Sequence, residues 1–105
     1  MAHHNVYVIE LDKKVASVSK FMLANQQYAG TMPCVYVGLT GLTPEERFQN
    51  HKKGYKASRF VKLYGLHLMP HLFAHLNPME YNEAVETEID LAKQLRAQGY
   101  GVWQH

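Results

Sequence analysis

The chain has 105 residues, of which 47% are hydrophobic and 19% are charged. This length suits a single domain over residues 1–105 with a real hydrophobic core, and this composition excludes a disordered tail. No apolar run approaches the roughly 20 residues that a membrane span needs, so we expect no membrane partner. The first five residues lack the charged and apolar regions of a signal peptide, so we expect a cytoplasmic protein.

Positive charge is concentrated in the middle of the chain. Six of the eleven Lys and Arg residues lie between positions 47 and 62, with no acidic residue among them. Such a basic segment is typical of a surface that binds a phosphate-bearing polyanion, although a solvated helix surface has the same charge pattern. The six residues of this basic segment are Arg47, Lys52, Lys53, Lys56, Arg59 and Lys62.

The first third of the chain predicts two strands. Val6–Leu11 is typical of a strand whose odd-numbered residues share one face. A long connection over residues 12–32 follows, with a short helix around Val18–Ala24. The second predicted strand, Cys34–Leu39, is apolar on both faces, which favours a central place in the sheet.

A clear helix start follows the second strand. Thr43 can cap the helix, Pro44 suits its first position, and Glu46 completes a Thr-x-x-Glu capping box. We expect this helix to continue to about Lys53 and to end at Gly54.

The second half of the chain predicts shorter elements and one long helix. They are a helix over Ser58–Tyr64, a strand at Leu66–Met69, a helix over Pro70–Leu76 and a helix over Glu80–Gln98, after which Tyr100–Trp103 either add a strand or pack on the sheet. The order β-β-α-α-β-α-α predicts an α/β (α+β) fold in which helices flank a small antiparallel three-stranded sheet.

The last predicted helix carries a carboxylate on its apolar stripe. Glu88 lies in the middle of that stripe, because Ala84, Glu88, Leu91 and Leu95 follow helical spacing. An inward carboxylate costs several kcal/mol unless it is paired, protonated or metal-bound. Two interpretations are open: a buried salt bridge, for example with Arg47, and a metal ligand or catalytic acid, which is modestly favoured.

Arg47 and His51 are four residues apart on the capped helix, so they share one face. An arginine fork that can bind phosphate oxygens, one turn from an imidazole, suits phosphodiester cleavage. The same pair is also common on solvated helix surfaces, so the spacing alone leaves both interpretations open.

These features resemble the GIY-YIG nuclease domain when they are taken in chain order. The matching residues are Val6-Tyr7-Val8, Tyr36-Val37-Gly38, Arg47 with His51 on the next helix, and Glu88 inside the last helix. The resemblance covers about Val6 to Tyr100, and residues 36–51 are its most specific part.

The resemblance implies a metal-dependent endonuclease that hydrolyses DNA phosphodiester bonds with low intrinsic sequence specificity. It assigns Tyr7 and Tyr36 to the two motif tyrosines, Arg47 to the catalytic arginine and His51 to a position held by His or Tyr. Glu88 corresponds to the metal-ligating glutamate. Glu86 is the alternative, but it points off the apolar stripe. One ion, Mg²⁺ or Mn²⁺, is expected on Glu88, since a single carboxylate suits magnesium, which keeps several waters.

In the implied mechanism, Arg47 stabilises charge on the scissile phosphate, while His51 and Tyr7 orient or deprotonate the attacking water with support from Tyr36. The implied partner is DNA, whose backbone is expected to contact Lys52, Lys53, Lys56, Arg59 and Lys62. Low specificity leaves room for a protein partner that supplies it. The alternative functions are a non-catalytic nucleic-acid-binding module that retains the fold, and an interaction protein that uses the fold as a scaffold.

Overall fold

A four-stranded sheet lies at the centre of the computed structural model, which describes residues 2–104. Its strands are β1 (Asn5–Leu11), β2 (Cys34–Thr40), β3 (Gly65–Leu68) and β4 (Gly101–Gln104). The α-helices of the described residues are α1 (Ser19–Leu23), α2 (Pro44–Lys53), α3 (Arg59–Tyr64) and α4 (Tyr81–Ala97). Short 3-10 turns occupy Lys13–Ser17, Pro70–Leu72 and Ala74–Leu76.

The strand order is β3-β1-β2-β4, with β1 antiparallel to both of its neighbours and β2 parallel to β4. The predicted α+β class is confirmed, but the prediction of a three-stranded, wholly antiparallel sheet is wrong in detail. The additional strand is β4, for which the sequence predicted either a strand or a segment packed on the sheet. Because α4 forms a long crossover before β4, the chain returns in the direction of β2, as a parallel pair requires.

The helix predictions differ in accuracy according to their local signals. Helix α2 has the expected bounds, its Thr43–Glu46 capping box forms both hydrogen bonds, and Gly54 ends it with a φ of 88°. The predicted helix over Pro70–Leu76 is wrong, because two 3-10 turns take its place. Between them Phe73 leaves the helical region, with φ −142° and ψ −21°, and buries its ring in the core.

Alternation along the paired strands gives the sheet two faces of different composition. The residues that we call the tyrosine face are Tyr7, Ile9, Leu11, Cys34, Tyr36, Gly38, Gly101 and Trp103. The residues that we call the valine face are Val6, Val8, Val35, Val37, Val102 and Gln104.

Different helices cover the two faces. On the tyrosine face, Phe60 of α3 packs edge-on against Trp103 with ring centroids 4.8 Å apart, and His51 of α2 reaches Tyr7. Helix α4 packs across β4, β2 and β1 through its buried apolar stripe, and Glu88 of that stripe accepts a hydrogen bond from Gln104 of the valine face. No helix of residues 2–104 is both long and apolar enough to cross a membrane.

Asparagine side chains satisfy free backbone groups of the sheet at edge strand β4 and at the part of β1 that β3 does not pair. Asn25 accepts a hydrogen bond from the Val102 N–H and donates one to the Val102 carbonyl, at 2.7 and 2.9 Å. Asn77 does the same for Val6, at 2.9 and 2.7 Å. Each amide therefore pairs backbone groups that a further strand would otherwise have to satisfy.

Candidate active site

The rings of Tyr7, Tyr36 and His51 meet under helix α2, and a hydrogen bond joins His51 to Tyr7. His51 is fully buried, and its Nδ1 accepts a hydrogen bond from the Ser58 backbone N–H at 3.0 Å. A nitrogen that accepts carries no proton, so the ring proton is on Nε2. Nε2 therefore donates to the Tyr7 hydroxyl oxygen, 2.9 Å away. Both ring nitrogens of His51 are thus used to hold Tyr7 in place.

Tyr36 lies next to Tyr7 on the neighbouring strand, and both phenols have raised pKa values. Burial raises the pKa of Tyr7 well above its usual range, and the neighbouring Tyr36 raises it further. Burial also raises the pKa of Tyr36, to about 12, although its contact with Tyr7 and the charge of Arg47 act in the opposite direction. The two phenol rings are in contact, with centroids 6.1 Å apart. Because both pKa values are raised, both phenols are protonated at neutral pH, and Tyr36 has an O–H that can donate.

Gly38 is the residue that lets the Tyr7 ring lie across strand β2. A Cβ at this position would be 2.6 Å from the Tyr7 hydroxyl oxygen and 2.7 Å from its Cζ. Side-chain carbon does not approach other atoms that closely, so only glycine leaves room for the phenol between β2 and His51. Gly38 belongs to the Tyr36-Val37-Gly38 motif but was not predicted as a site residue. Its close contact with Tyr7 joins two strands that are far apart in sequence.

Arg47 lies one turn before His51 on α2, as its spacing predicted. Its Nη1 and Nη2 donate to the carbonyls of Tyr55 and Lys56, at 3.3 and 2.8 Å. Its positive charge lowers the pKa values of Tyr7 and Tyr36, against the larger effect of burial. The guanidinium is therefore fixed near both phenols, with donors left for an anion, since the group carries five N–H donors.

Glu88 approaches the same residues from the other face of the sheet. It is 5% exposed, and its Oε1 accepts a hydrogen bond from Gln104 Nε2 at 3.2 Å. Its negative charge raises the pKa of Tyr36, after the larger contributions of burial, Tyr7 and Arg47. The carboxylate thus lies within electrostatic reach of Tyr36, but behind Gln104.

A cleft of about 770 Å³ opens above Tyr36. Its charged lining residues are all cations: Lys20, Arg47, Lys56 and Arg59. Gln104 also lines it, whereas Glu88 does not. Lys20 and Gln104 were missed by sequence reasoning, because they come from a connection and a terminal strand that carried no distinct signal.

The cleft divides the predicted basic segment. Lys56 and Arg59 line it, whereas Lys52, Lys53 and Lys62 do not. The Lys52 ammonium instead donates to the carbonyls of Lys62 and Gly65, at 3.3 and 2.9 Å. Lys52 therefore stabilises the C-terminal end of α3, where cations interact favourably with unpaired carbonyls.

The donor set near Gln104 suits one kind of metal. Within residues 2–104, no group of three or more His, Cys, Asp or Glu side chains is placed to hold an ion, which does not fit a structural zinc site. The Glu88 carboxylate is a hard oxygen ligand, whereas Gln104 turns its amide Nε2 towards it. Magnesium can bind through one carboxylate and keep its remaining waters, so the donor type of Glu88 suits the expected ion.

Comparison with protein-family models, curated proteins and solved structures found no match for the chain. The functional argument therefore depends on the geometry of the site. Among the predicted catalytic residues, Tyr7, Tyr36 and His51 are packed against one another, with centroid distances of 5.4–6.1 Å. Arg47 and Glu88 act on this cluster from opposite sides.

Proposed function

We propose that the chain is a metal-dependent DNA endonuclease of the GIY-YIG type with low intrinsic sequence specificity. The observation that carries this proposal is the packed cluster of His51, Tyr7 and Tyr36, whose Tyr36 lines a cleft in which all charged lining residues are cations. Buried tyrosines of a purely structural kind need only a backbone partner. Here the two tyrosines contact each other, Tyr7 is hydrogen-bonded to the buried His51, and the charge of Arg47 lowers both pKa values.

The cations and the phenols have different roles at a bound phosphodiester. Arg47, Lys56 and Arg59 bind phosphate oxygens, and Arg47 stabilises the negative charge that develops during hydrolysis. The Tyr36 O–H donates to an oxygen at the cleft. Because both phenols are protonated at neutral pH, we infer that Tyr36, which lines the cleft, orients the attacking water rather than deprotonates it, and that Tyr7 supports Tyr36 from behind.

His51 has a different role from the one that the sequence predicted. It is fully buried and both its ring nitrogens are engaged, so it holds Tyr7 rather than contacting water. Glu88 is the residue that would hold a Mg²⁺ or Mn²⁺ ion. When bound, such an ion supplies positive charge at the phosphate and lowers the pKa of its water.

A non-catalytic nucleic-acid-binding module is the second candidate function. It is favoured by the position of Glu88, which lies behind Gln104 and does not line the cleft. In that case the cations would bind the backbone, and the carboxylate would be a buried structural group. The two functions differ in whether the chain turns over its substrate.

Nicking of a supercoiled plasmid with and without magnesium tests the proposal. We expect magnesium-dependent nicking that falls at least about 100-fold in the Glu88→Gln variant, because the charge that holds the ion is removed. The substituted amide can still accept from Gln104, so the melting temperature without magnesium should stay close to that of the parent chain.

Glu86→Gln is the matched control, since Glu86 is exposed on the same helix. It should nick at the parent rate. No nicking by the parent chain together with retained DNA binding would favour the non-catalytic module. A large loss of stability in Glu88→Gln with nicking retained would make Glu88 a structural charge and contradict its role as a metal ligand.

A further inference from the structure

The cleft above Tyr36 has an aromatic wall that phosphate binding does not require. Trp103 is half-buried there, and the edge of Phe60 packs against it at a centroid distance of 4.8 Å. Lys20 Nζ lies 5.4 Å from the centroid of the Trp103 ring. Leu63, which is 56% exposed, extends the apolar lining.

This wall lies in the same cleft as the cations Lys20, Arg47, Lys56 and Arg59. Its complementary ligand therefore combines a flat apolar group with an anion. A volume of about 770 Å³ is within the range of sites for small organic ligands. Aromatic side chains beside a cationic groove are how proteins bind single strands, by stacking bases and following phosphates.

The bases of an intact duplex cannot reach such a wall, because each is stacked between its neighbours and paired. An unpaired base can turn outward and stack on an aromatic ring at little cost. We propose that this cleft binds an unpaired nucleotide of a single-stranded DNA segment, with its base on Trp103 and its phosphates on the surrounding cations. This inference rests on the proposed function for the identity of the polymer, and it makes the preferred substrate a DNA with an unpaired segment at the cleavage site.

Trp103 is the one tryptophan of the chain, so its fluorescence reports on this cleft alone. Titration with a short oligothymidylate in the presence of EDTA, where cleavage cannot occur, should quench the emission to saturation. A duplex of the same length should quench weakly. An abasic oligonucleotide of that length supplies the same phosphates without bases, and it should bind about 5- to 100-fold more weakly without quenching.

Leu63→Glu locates the binding without touching the reporter. Leu63 is exposed and lines the cleft, so a carboxylate there repels phosphates and should weaken oligothymidylate binding at least about 10-fold. Leu66→Glu is the matched control, because Leu66 is 49% exposed and lies outside the cleft. It should leave the titration unchanged.

Equal quenching by the duplex or by the abasic strand would overturn the inference, as would equal effects of the two leucine variants. The plasmid nicking assay separates this result from the proposed function. A chain that binds and quenches but never nicks would support the nucleotide site and contradict the nuclease. A chain that nicks but shows no base-dependent quenching would contradict the nucleotide site alone.

Discussion

The two faces of the central strands are buried to the same degree by different chemistry. On the valine face, Val6, Val8, Val35 and Val37 are fully buried under an apolar helix stripe. On the tyrosine face, Tyr7 and Tyr36 are 1% exposed, yet they bring hydroxyl groups into the core. The Tyr7 hydroxyl is tolerated because it is hydrogen-bonded to His51, and Tyr36 lines the cleft.

The difference teaches where stability and chemistry lie in this domain. Apolar packing on the valine face depends on shape and volume, and it makes no demand on hydrogen-bond direction. The tyrosine face instead places the hydrogen-bonded pair His51 and Tyr7 beside Tyr36, which lines the cleft. Glu88 is the exception, a carboxylate from the helix of the valine face whose charge acts on Tyr36.

The largest effect that we expect is a loss of nicking rate when Arg47, which lies over the tyrosine face, is changed. Arg47→Lys keeps the positive charge but loses the planar fork that binds phosphate at two points. We expect the nicking rate to fall about 100- to 1000-fold, as when a preorganised donor is lost from an active site. The melting temperature should change little, because the substituted ammonium can still donate to the Tyr55 or Lys56 carbonyl.

Arg96→Lys is the matched control for this change. Arg96 also donates to a backbone carbonyl, that of Val102 at 3.0 Å, but it does not line the cleft. Its nicking rate should equal that of the parent chain. Equal losses in both variants would mean that the arginines act through stability, and the division between the two faces would fail.

A smaller effect is expected when the close approach at Gly38 is blocked. In Gly38→Ala the added carbon would meet the Tyr7 phenol at 2.6 Å, so the ring must move away from His51. Overpacking of this kind costs about 1–3 kcal/mol, which lowers the melting temperature by about 4–8 °C per kcal/mol. Gly41→Ala is the control in the same thermal melt, because its Cβ would be 3.6 Å from the nearest atom. Similar melting temperatures for the two variants would show that Tyr7 is not confined by Gly38.

The pH dependence of stability should also distinguish the tyrosine face. The pKa of Tyr36 rises from 10.0 in the unfolded chain to about 12 in the fold. Between these values the folded state holds a proton that the unfolded state has lost. Its stabilising contribution is therefore complete below pH 10 and is lost as the pH rises towards 12, at up to about 1.4 kcal/mol per pH unit.

Urea midpoints measured across this alkaline range test the prediction. Tyr36→Phe removes the titrating group, so its stability should fall less steeply with pH than that of the parent chain. Tyr55→Phe should follow the parent curve, because Tyr55 is 59% exposed. A slope unchanged by Tyr36→Phe would contradict the raised pKa of that phenol.

The smallest effect concerns the basic segment, which the cleft divides. Lys56→Gln should reduce the log–log salt slope of DNA binding by about 0.9, because Lys56 lines the cleft and is expected to contact one phosphate. Lys53→Gln should leave the slope unchanged, since Lys53 is exposed outside the cleft. Fluorescence anisotropy at several salt concentrations gives both slopes. A larger loss for Lys53→Gln would place the DNA on another surface.

Features that depend on neighbouring residues were predicted well. The Thr43–Glu46 capping box and Gly54 are separated by one helix, and they fixed the bounds of α2. The inward position of Glu88 followed from its spacing on α4, and the structure confirms that it is buried. The predicted helix at Pro70–Leu76 failed because the core takes up Phe73, which its neighbours in sequence do not indicate.

By itself, the sequence determined the α+β class, the main helix bounds and the placement of Glu88 on a buried stripe, because capping and helical periodicity act over a few residues. Only the tertiary structure decided that β4 joins β2 in parallel, that Gly38 admits Tyr7, and that His51 faces inward to hold it. It also decided that Lys56 and Arg59 share a cleft with Trp103 while Lys52 caps α3. These features join residues that are far apart along the chain, and their distances are set when the two faces of the sheet pack against their helices.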